Sequence, residues 1–395
     1  GGVLAAVIVL IAAAMWTYAR AQKRRAHDFR AELTKLVEAG ELDGDAAVGE
    51  MVPREIARAN VTLTGELGKG QFGQVHKAVL HDRAMRGDFL VAVKLVKEGA
   101  PDEYHRALLA EAVLMAQIPE HPNVVSLVGV VTRGEPKLLL VSYCEGGSLL
   151  AELKRLGRSG GMPEEQRLAV GRDVCAGMAH LVSHRMVHRD LAARNVLIDA
   201  VGACRVADFG LSRAARPASE SDEDGEGGTD EDGAHLYYRM ANSTNIPVHW
   251  TAVEALRSNV FTPASDVWSF GVLMVEVYGN GRRPFYELKD IQEVEQHILA
   301  GGTPDRPAAC SNGVFSALND CWNPVPEARP TFAGLAQFFE RMLAVPIVFM
   351  HGPTTVDGTS PTTWAGGISD NPAAGALHAQ TAAYKIAMAA NGIAE

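Results

Sequence analysis

Several kinds of chemistry are excluded by what this chain lacks. The 395 residues hold five cysteines, Cys144, Cys175, Cys204, Cys310 and Cys321, an odd number without metal-ligand spacing. Neither a zinc module nor a secreted disulfide framework is indicated, and reduced thiols are expected. Basic excess is missing too: 37 Lys and Arg stand against 47 Asp and Glu, for a formal net charge of -10. Nucleic-acid binding is therefore not indicated. Eight of the acids, and no basic residue, fall within residues 218–232, so the remainder is nearly balanced. No internal repeat is visible. With 47% hydrophobic and 21% charged residues, the chain suits a globular protein of two or three units.

The N-terminus is of different material. Residues 1–19 carry no charged side chain, and Arg20, Lys23, Arg24 and Arg25 follow at once. A bilayer span needs about 20 apolar residues. The expectation is a transmembrane helix over 1–19, cut short at its start, with Trp16 and Tyr18 as interfacial aromatics. Basic residues after the apolar run place everything downstream in the cytoplasm, whereas a signal peptide carries its charges on the other side. Residues 20–59 are polar and read as a juxtamembrane segment; Phe29, Leu33, Leu36 and Val37 form one apolar stripe if they are helical.

The chemistry concentrates in His188-Arg189-Asp190-Leu191-Ala192-Ala193-Arg194-Asn195 and, shortly after, Asp208-Phe209-Gly210. Phosphoryl transfer needs an acceptor for a hydroxyl proton, which Asp190 offers, and hard oxygen ligands for Mg²⁺, which Asn195 and Asp208 offer. Between them, residues 196–198 and 203–207 read as strands joined by a turn at 199–202. Upstream, Gly68-Lys69-Gly70-Gln71-Phe72-Gly73 lets a backbone fold close over phosphates. Alone that pattern is weak. Here a strand over 89–96, carrying Val91-Ala92-Val93-Lys94, follows instead of a helix, and a single Lys in an apolar strand needs a partner. Glu111, in a helical run over 103–118, is the candidate. Strands are expected at 124–131 and 138–141, and a long helix at 164–183.

Taken in order, these motifs resemble the protein-kinase signature, and Leu191-Ala192-Ala193-Arg194-Asn195 resembles its tyrosine-kinase branch. The resemblance covers residues 60–343, about seven tenths of the chain. It implies an α+β, bilobal protein-kinase fold: a small antiparallel sheet lobe with one main helix and a larger, mainly helical lobe, preceded by the transmembrane helix. It implies ATP as co-substrate with Mg²⁺ or Mn²⁺. By the same resemblance Lys94, held by Glu111, aligns the phosphates, and Leu67, Gly68, Gly70, Gly73, Val75, Ala92, Val141, Tyr143, Cys144 and Leu197 line the nucleotide site. The hinge falls at 142–147, and Ser142 stands where the family often has Glu. Arg194 joins the catalytic group, while His188, Arg189, Phe209, Glu254, Asp266 and Arg329 hold the framework. Asp266 braces the catalytic loop, and Glu254 pairs with Arg329. Where the family has Ala-Pro-Glu, this chain has Ala252-Val253-Glu254, which loosens what Pro stiffens.

The activation segment runs over 208–254 with an acidic insert at 219–232, expected to be disordered because acid and Gly without apolar anchors cannot offset ordering entropy. Tyr237 and Tyr238 follow as autophosphorylation sites, and Ile246-Pro247-Val248-His249-Trp250 resembles the tyrosine-kinase substrate segment. Residues 344–395 read as a disordered tail. The implied protein is the cytoplasmic part of a receptor-type tyrosine kinase in the plasma membrane. Its partners would be protein tyrosine substrates, a second copy for trans-autophosphorylation, phosphotyrosine-reading adaptors and membrane lipid. A pseudokinase scaffold and a dual-specificity kinase are the alternatives.

Overall fold

The computed structural model describes residues 15, 52–69, 73–82, 87–97, 99–214, 216–217, 236–239 and 246–344, with backbone alone at 213–214, 216–217 and 236–239. The expected span over 1–19 apart from Met15, most of the juxtamembrane segment, the insert at 219–232 and the tail beyond 344 lie outside the described residues. Among the described residues no helix is long and apolar enough to cross a membrane. The chain divides into two compact units, the first comprising 1–146, 180–188 and 198–238, the second 147–179, 189–197 and 239–395.

The first unit is built on five strands, β1 (Val61–Lys69), β2 (Gly73–Asp82), β3 (Gly87–Val96), β4 (Leu127–Val131) and β5 (Leu138–Ser142), in the order β1-β2-β3-β5-β4. Every pairing is antiparallel. The two-residue period of a strand sends Val91, Val93 and Leu95 of β3 to one face, where they join Ala78, Leu80, Leu138 and Leu140 in a buried cluster. Lys94, between Val93 and Leu95, consequently points to the other face. Register sets it opposite Val75 on β2 and Leu139 on β5. A Cβ at Gly73 would lie 2.3 Å from the Leu95 carbonyl oxygen, so only glycine allows this closeness of β2 to β3.

Helix α1 (Asp102–Ala116) has Asp102 and Glu103 in its first turn, where acids favour the N-terminal dipole. It buries Leu108 to Met115, Glu111 among them. The helix stops two residues before the expected end. The strand expected from 124 starts only at Leu127, because Val124 and Val125 bridge to Val206 instead, with Val125 N–H donating to Val206 O at 2.9 Å.

The second unit is helical: α2 (Leu149–Gly157), α3 (Glu164–Ser183, whose last turn belongs to the first unit), α4 (Val253–Ser258), α5 (Pro263–Tyr278), α6 (Ile291–Leu299), α7 (Asn312–Cys321) and α8 (Phe332–Ala344). Ser148 caps α2, accepting from Ala151 N–H at 3.3 Å. At the start of α5, Thr262 and Ser265 form a reciprocal capping box with Pro263 at the first position, the arrangement that fixes a helix start. Nearly all of α5 is buried. Phe270 meets Phe332 and Phe339 of α8 edge-on at 6.1 and 5.8 Å between ring centres. A Cβ at Gly271 would come within 2.6 Å of the Trp322 indole nitrogen, which explains glycine within this helix.

Candidate active site

In the first unit three charged groups converge. Lys94 Nζ donates to Glu111 Oε2 at 2.7 Å and to Asp208 Oδ1 at 2.9 Å. Burial alone would lower the Lys94 ammonium, but the two carboxylates more than reverse this and it stands raised. Glu111 is held above its ordinary value, because burial outweighs the pull of Lys94. At Asp208, where the side chain is half exposed, Lys94 outweighs desolvation and the carboxyl stands below its ordinary value. The pairing of Glu111 with Lys94 matches the sequence expectation. The second contact, from Lys94 to Asp208, was not foreseen.

Asp208 sits at φ 64°, a left-handed conformation that Asp tolerates better than most residues. Phe209 is buried, with its ring 5.6 Å from that of His188. His188 Nε2–H donates to Ala207 O at 3.1 Å, and Ser212 Oγ–H donates to His188 O at 3.2 Å. His188 therefore ties the strand before the catalytic loop to the Asp-Phe-Gly stretch by two bonds. Asp199 accepts from Val201 N–H, Ala203 N–H and Arg205, which closes the turn expected at 199–202.

Of the expected nucleotide-site residues in this unit, Leu67 and Gly68 lie on β1, Gly73 and Val75 on β2, and Ala92 on β3 opposite Val141 of β5. Leu67 is exposed and Ala92 buried. Tyr143 lies under Lys77 Nζ, 4.8 Å from its ring centre. Cys144 is buried, and burial pushes its thiol up to about 11. Gly70 lies outside the described residues.

The second unit holds the catalytic loop. Asp190 forms a salt bridge with Arg194 and accepts from Asn195 Nδ2 through both its backbone O and its Oδ2, each at 2.7 Å. Arg194 lies over the Trp250 ring, 4.4 Å from its centre. The loop backbone hangs from two buried acids of α5. Asp266 Oδ1 accepts from Arg189 N–H at 2.9 Å, the bracing expected from the sequence. Glu276 Oε2 accepts from Ala193 N–H and from Trp250 Nε1–H, both at 2.9 Å. Burial pushes Glu276 up in spite of these bonds. Sequence reasoning missed Glu276, although a lone acid in the apolar run Met274-Val275-Glu276-Val277 is itself a signal, since a buried carboxylate needs donors.

Arg329 holds Glu254 through two bonds of 2.7 and 2.8 Å, and also donates to Ala264 O and Asn323 O, each at 2.9 Å. The pair forms with Val253, buried, in the place of proline. Arg189 is buried at φ 69° with its guanidinium 4.8 Å from the Phe261 ring centre. Leu197 lies half-buried on the strand Val196–Ile198. Tyr237 and Tyr238 lie on the strand Leu236–Arg239, where Tyr237 is paired with Arg216.

The expected residues thus gather into two groups. Lys94, Glu111, Asp208, Phe209 and His188 belong to the first unit; Asp190, Arg194, Asn195, Glu254, Asp266 and Arg329 belong to the second. For a divalent cation the donor types fit. Both bonds that fix the Asn195 amide are donated by its nitrogen, which leaves the oxygen as a hard donor, and Asp208 is an ionised, half-exposed carboxylate. Among the described residues no group of three or more His, Cys, Asp or Glu is placed to hold a metal ion. Mg²⁺ customarily takes one or two protein oxygens together with substrate phosphates.

Comparison with known proteins bears on the family of the chain. Residues 61–339 match the family model described as protein tyrosine and serine/threonine kinase. The chain belongs to that family. It is 36% identical to ephrin type-A receptor 7 of Gallus gallus over 293 residues, 74% of this chain and 27% of that protein. It is 34% identical over 304 residues to ephrin type-A receptor 5 of Homo sapiens, 77% of this chain and 27% of that protein. With ephrin type-B receptor 2 of Gallus gallus the identity is 34% over 304 residues, 77% of this chain and 28% of that protein. The chain spans about a quarter of the length of these curated relatives. The family match and these relatives support protein tyrosine kinase activity for the domain.

Proposed function

We propose that this chain is the signalling part of a receptor-type, single-pass membrane tyrosine kinase, which transfers the ATP γ-phosphoryl group to protein tyrosine hydroxyls. The observation that carries the catalytic part is the Asp190, Arg194 and Asn195 constellation, hung from Asp266 and Glu276. Asp190 takes the proton of the attacking phenol, and Arg194 and Asn195 hold its carboxylate in place. Lys94, fixed by Glu111, positions the nucleotide phosphates, and β1, β2 and β5 contribute the adenine-side lining. Asn195 and Asp208 would hold Mg²⁺, which supplies charge neutralisation at the phosphates.

Receptor character is supported by the names of the relatives, and the membrane span by residues 1–19 with the basic cluster after them. Tyr237 and Tyr238 are the activating phosphorylation sites, with Arg189 as the basic partner of the added phosphate. Adaptors that read phosphotyrosine are the downstream partners. The test is transfer of labelled phosphate by the purified protein from Mg-ATP to a poly-Glu/Tyr substrate, followed by phosphoamino-acid determination. Label on tyrosine is expected. No transfer would support a scaffold, and label on serine would support dual specificity. Carbonate extraction and protease protection in cytoplasm-outside vesicles test the anchor; a protected kinase domain would contradict the orientation.

A further inference from the structure

The second unit contains a cleft of about 1060 Å³ lined by the end of α2, the end of α5, the loop after it and residues 303–309. Its walls carry five Lys and Arg side chains against two acids, Glu287 and Asp305. Three of the cations have local partners. Arg306 donates to Cys310 O, Arg283 to Leu288 O, and Arg282 lies over the Tyr286 ring at 4.2 Å. Lys154 and Arg158 are exposed and have no ion-pair partner among the described residues. In the same wall, Asn280 Oδ1 is buried without a hydrogen-bond partner among the described residues.

The cleft adjoins the catalytic loop. His249, in the segment expected to receive substrate, is 7% exposed and its Nε2 has no hydrogen-bond partner among the described residues. Burial, then Arg283 of the cleft and Arg194 of the catalytic loop, hold its ring below the ordinary value, so both guanidinium groups act on one imidazole. Lys154 likewise acts on Glu276, which carries the Ala193 N–H.

We infer that this cleft binds an acidic run in the acceptor polypeptide, and that its own occupant is residues 218–232 of a second copy of the chain. This rests on the tyrosine-kinase reading above. Charge complementarity selects the occupant: that run has eight acids and no basic residue. It ends five residues before Tyr237, a spacer reaching at most about 18 Å, so carboxylates held at the cleft keep that tyrosine within this distance of it. In the transfer step the γ-phosphoryl group leaves the β-phosphate oxygen of ATP and bonds to the phenolic oxygen of Tyr237. Asp190 accepts the phenolic proton, and ADP is released.

The test uses the full chain with two peptides, residues 218–239 and the same peptide with its eight acids changed to Asn or Gln. The acidic peptide is expected to show a KM about tenfold lower at similar kcat, with the preference lost as salt shrinks the screening length to about 3 Å at 1 M. In the Lys154→Glu, Arg158→Glu variant the KM ratio of the two peptides should fall to near one, and Lys154→Arg with Arg158→Lys should restore it. Equal KM values in the parent, or an unchanged ratio in the charge-reversed variant, would overturn the inference. Transfer to neither peptide would overturn the kinase reading. Anisotropy of the labelled acidic peptide with Tyr237→Phe and Tyr238→Phe then decides the cleft separately: binding about tenfold weaker to the charge-reversed variant is expected, and equal binding overturns it. Autophosphorylation of the full chain should be second order in protein. First-order kinetics would place the run of the same chain in the cleft and refute a second copy as occupant.

Discussion

In the first unit Glu111 and Asp208 converge on a single ammonium, whereas in the second Asp266 and Glu276 converge on backbone N–H groups and an indole. The first arrangement depends on opposite charge: remove the cation and a buried carboxylate is left uncompensated. The second depends mainly on backbone N–H donors, which no side-chain substitution deletes; of its three donors only the Trp250 indole belongs to a side chain. For the proposed role at the nucleotide phosphates, a cation whose position is fixed from two sides is an advantage. A loop that must present Asp190 benefits from backbone anchors indifferent to the side chains it carries.

Breaking the first arrangement gives the largest effect. Lys94→Met should abolish detectable transfer, because the Lys–Glu pair must be in place for the reaction. It should also destabilise the fold by about 3 kcal/mol, the low end for a buried pair broken on one side, since Lys94 keeps 28% exposure. Urea unfolding checks the second figure. Adding Glu111→Leu should recover most of the stability and none of the activity. If Lys94→Met alone left stability unchanged, the cluster would not be held by charge.

Next in size is Asp190→Asn, which removes the proton acceptor and keeps the shape. Turnover should fall by about 10²-fold or more, within the range for a lost general base, while ATP affinity and urea stability change little. Turnover near the parent value would show that Asp190 has been given the wrong role.

These two residues were also the most legible in the sequence. Asp190, Asn195 and Asp208 stand at spacings that chemistry constrains, and Lys94 is conspicuous as a lone charge within an apolar strand. Helix α3 has the bounds expected from the sequence, with Leu168, Val174, Met178 and Leu181 as its apolar positions. What the sequence hid were contacts made by residues far apart in the chain with no fixed spacing. Glu276 reaches Ala193 across 83 positions, and Lys94 reaches Asp208 across 114. The strand start at 124 was misplaced for a similar reason: Val124 and Val125 have strand-forming side chains, but their partner, Val206, is not in the sheet.

A smaller effect is expected at Tyr237 and Tyr238, the proposed activating sites. Phosphate brings about -1.5 to -2 charges and three acceptor oxygens, a stronger anion than a single carboxylate of the insert. Tyr237→Phe with Tyr238→Phe should lower activity several-fold after preincubation with Mg-ATP, measured as initial rates before and after. Deleting residues 219–232 should slow activation at low protein concentration yet leave its final extent intact. Equal activation of the double Phe variant and the parent would remove these tyrosines from the switch, and abolition by the deletion alone would give the insert an essential role.

The smallest effect separates the two carboxylate environments by pH. Burial raises Glu276 and Glu111 above their ordinary values, whereas Lys94 draws Asp208 below its own. For Glu276 the folded state binds its proton more tightly than the unfolded chain does, so its contribution is fully present below the ordinary Glu value of about 4.3 and is lost as pH rises through the folded value. Asp208 has the opposite sign: its contribution is present above the ordinary Asp value of about 3.9 and is lost as pH falls through its depressed folded value. Glu276→Gln retains an oxygen able to accept from Ala193 and Trp250 but cannot titrate. Unfolding free energies of parent and variant should therefore diverge with rising pH above about 4.3, the parent losing stability relative to Gln. Parallel profiles would mean that the two N–H donors fully compensate the burial of Glu276. The backbone-anchored acid would then ionise as readily as a solvated one, and the contrast with the cation-held cluster would reduce to geometry alone.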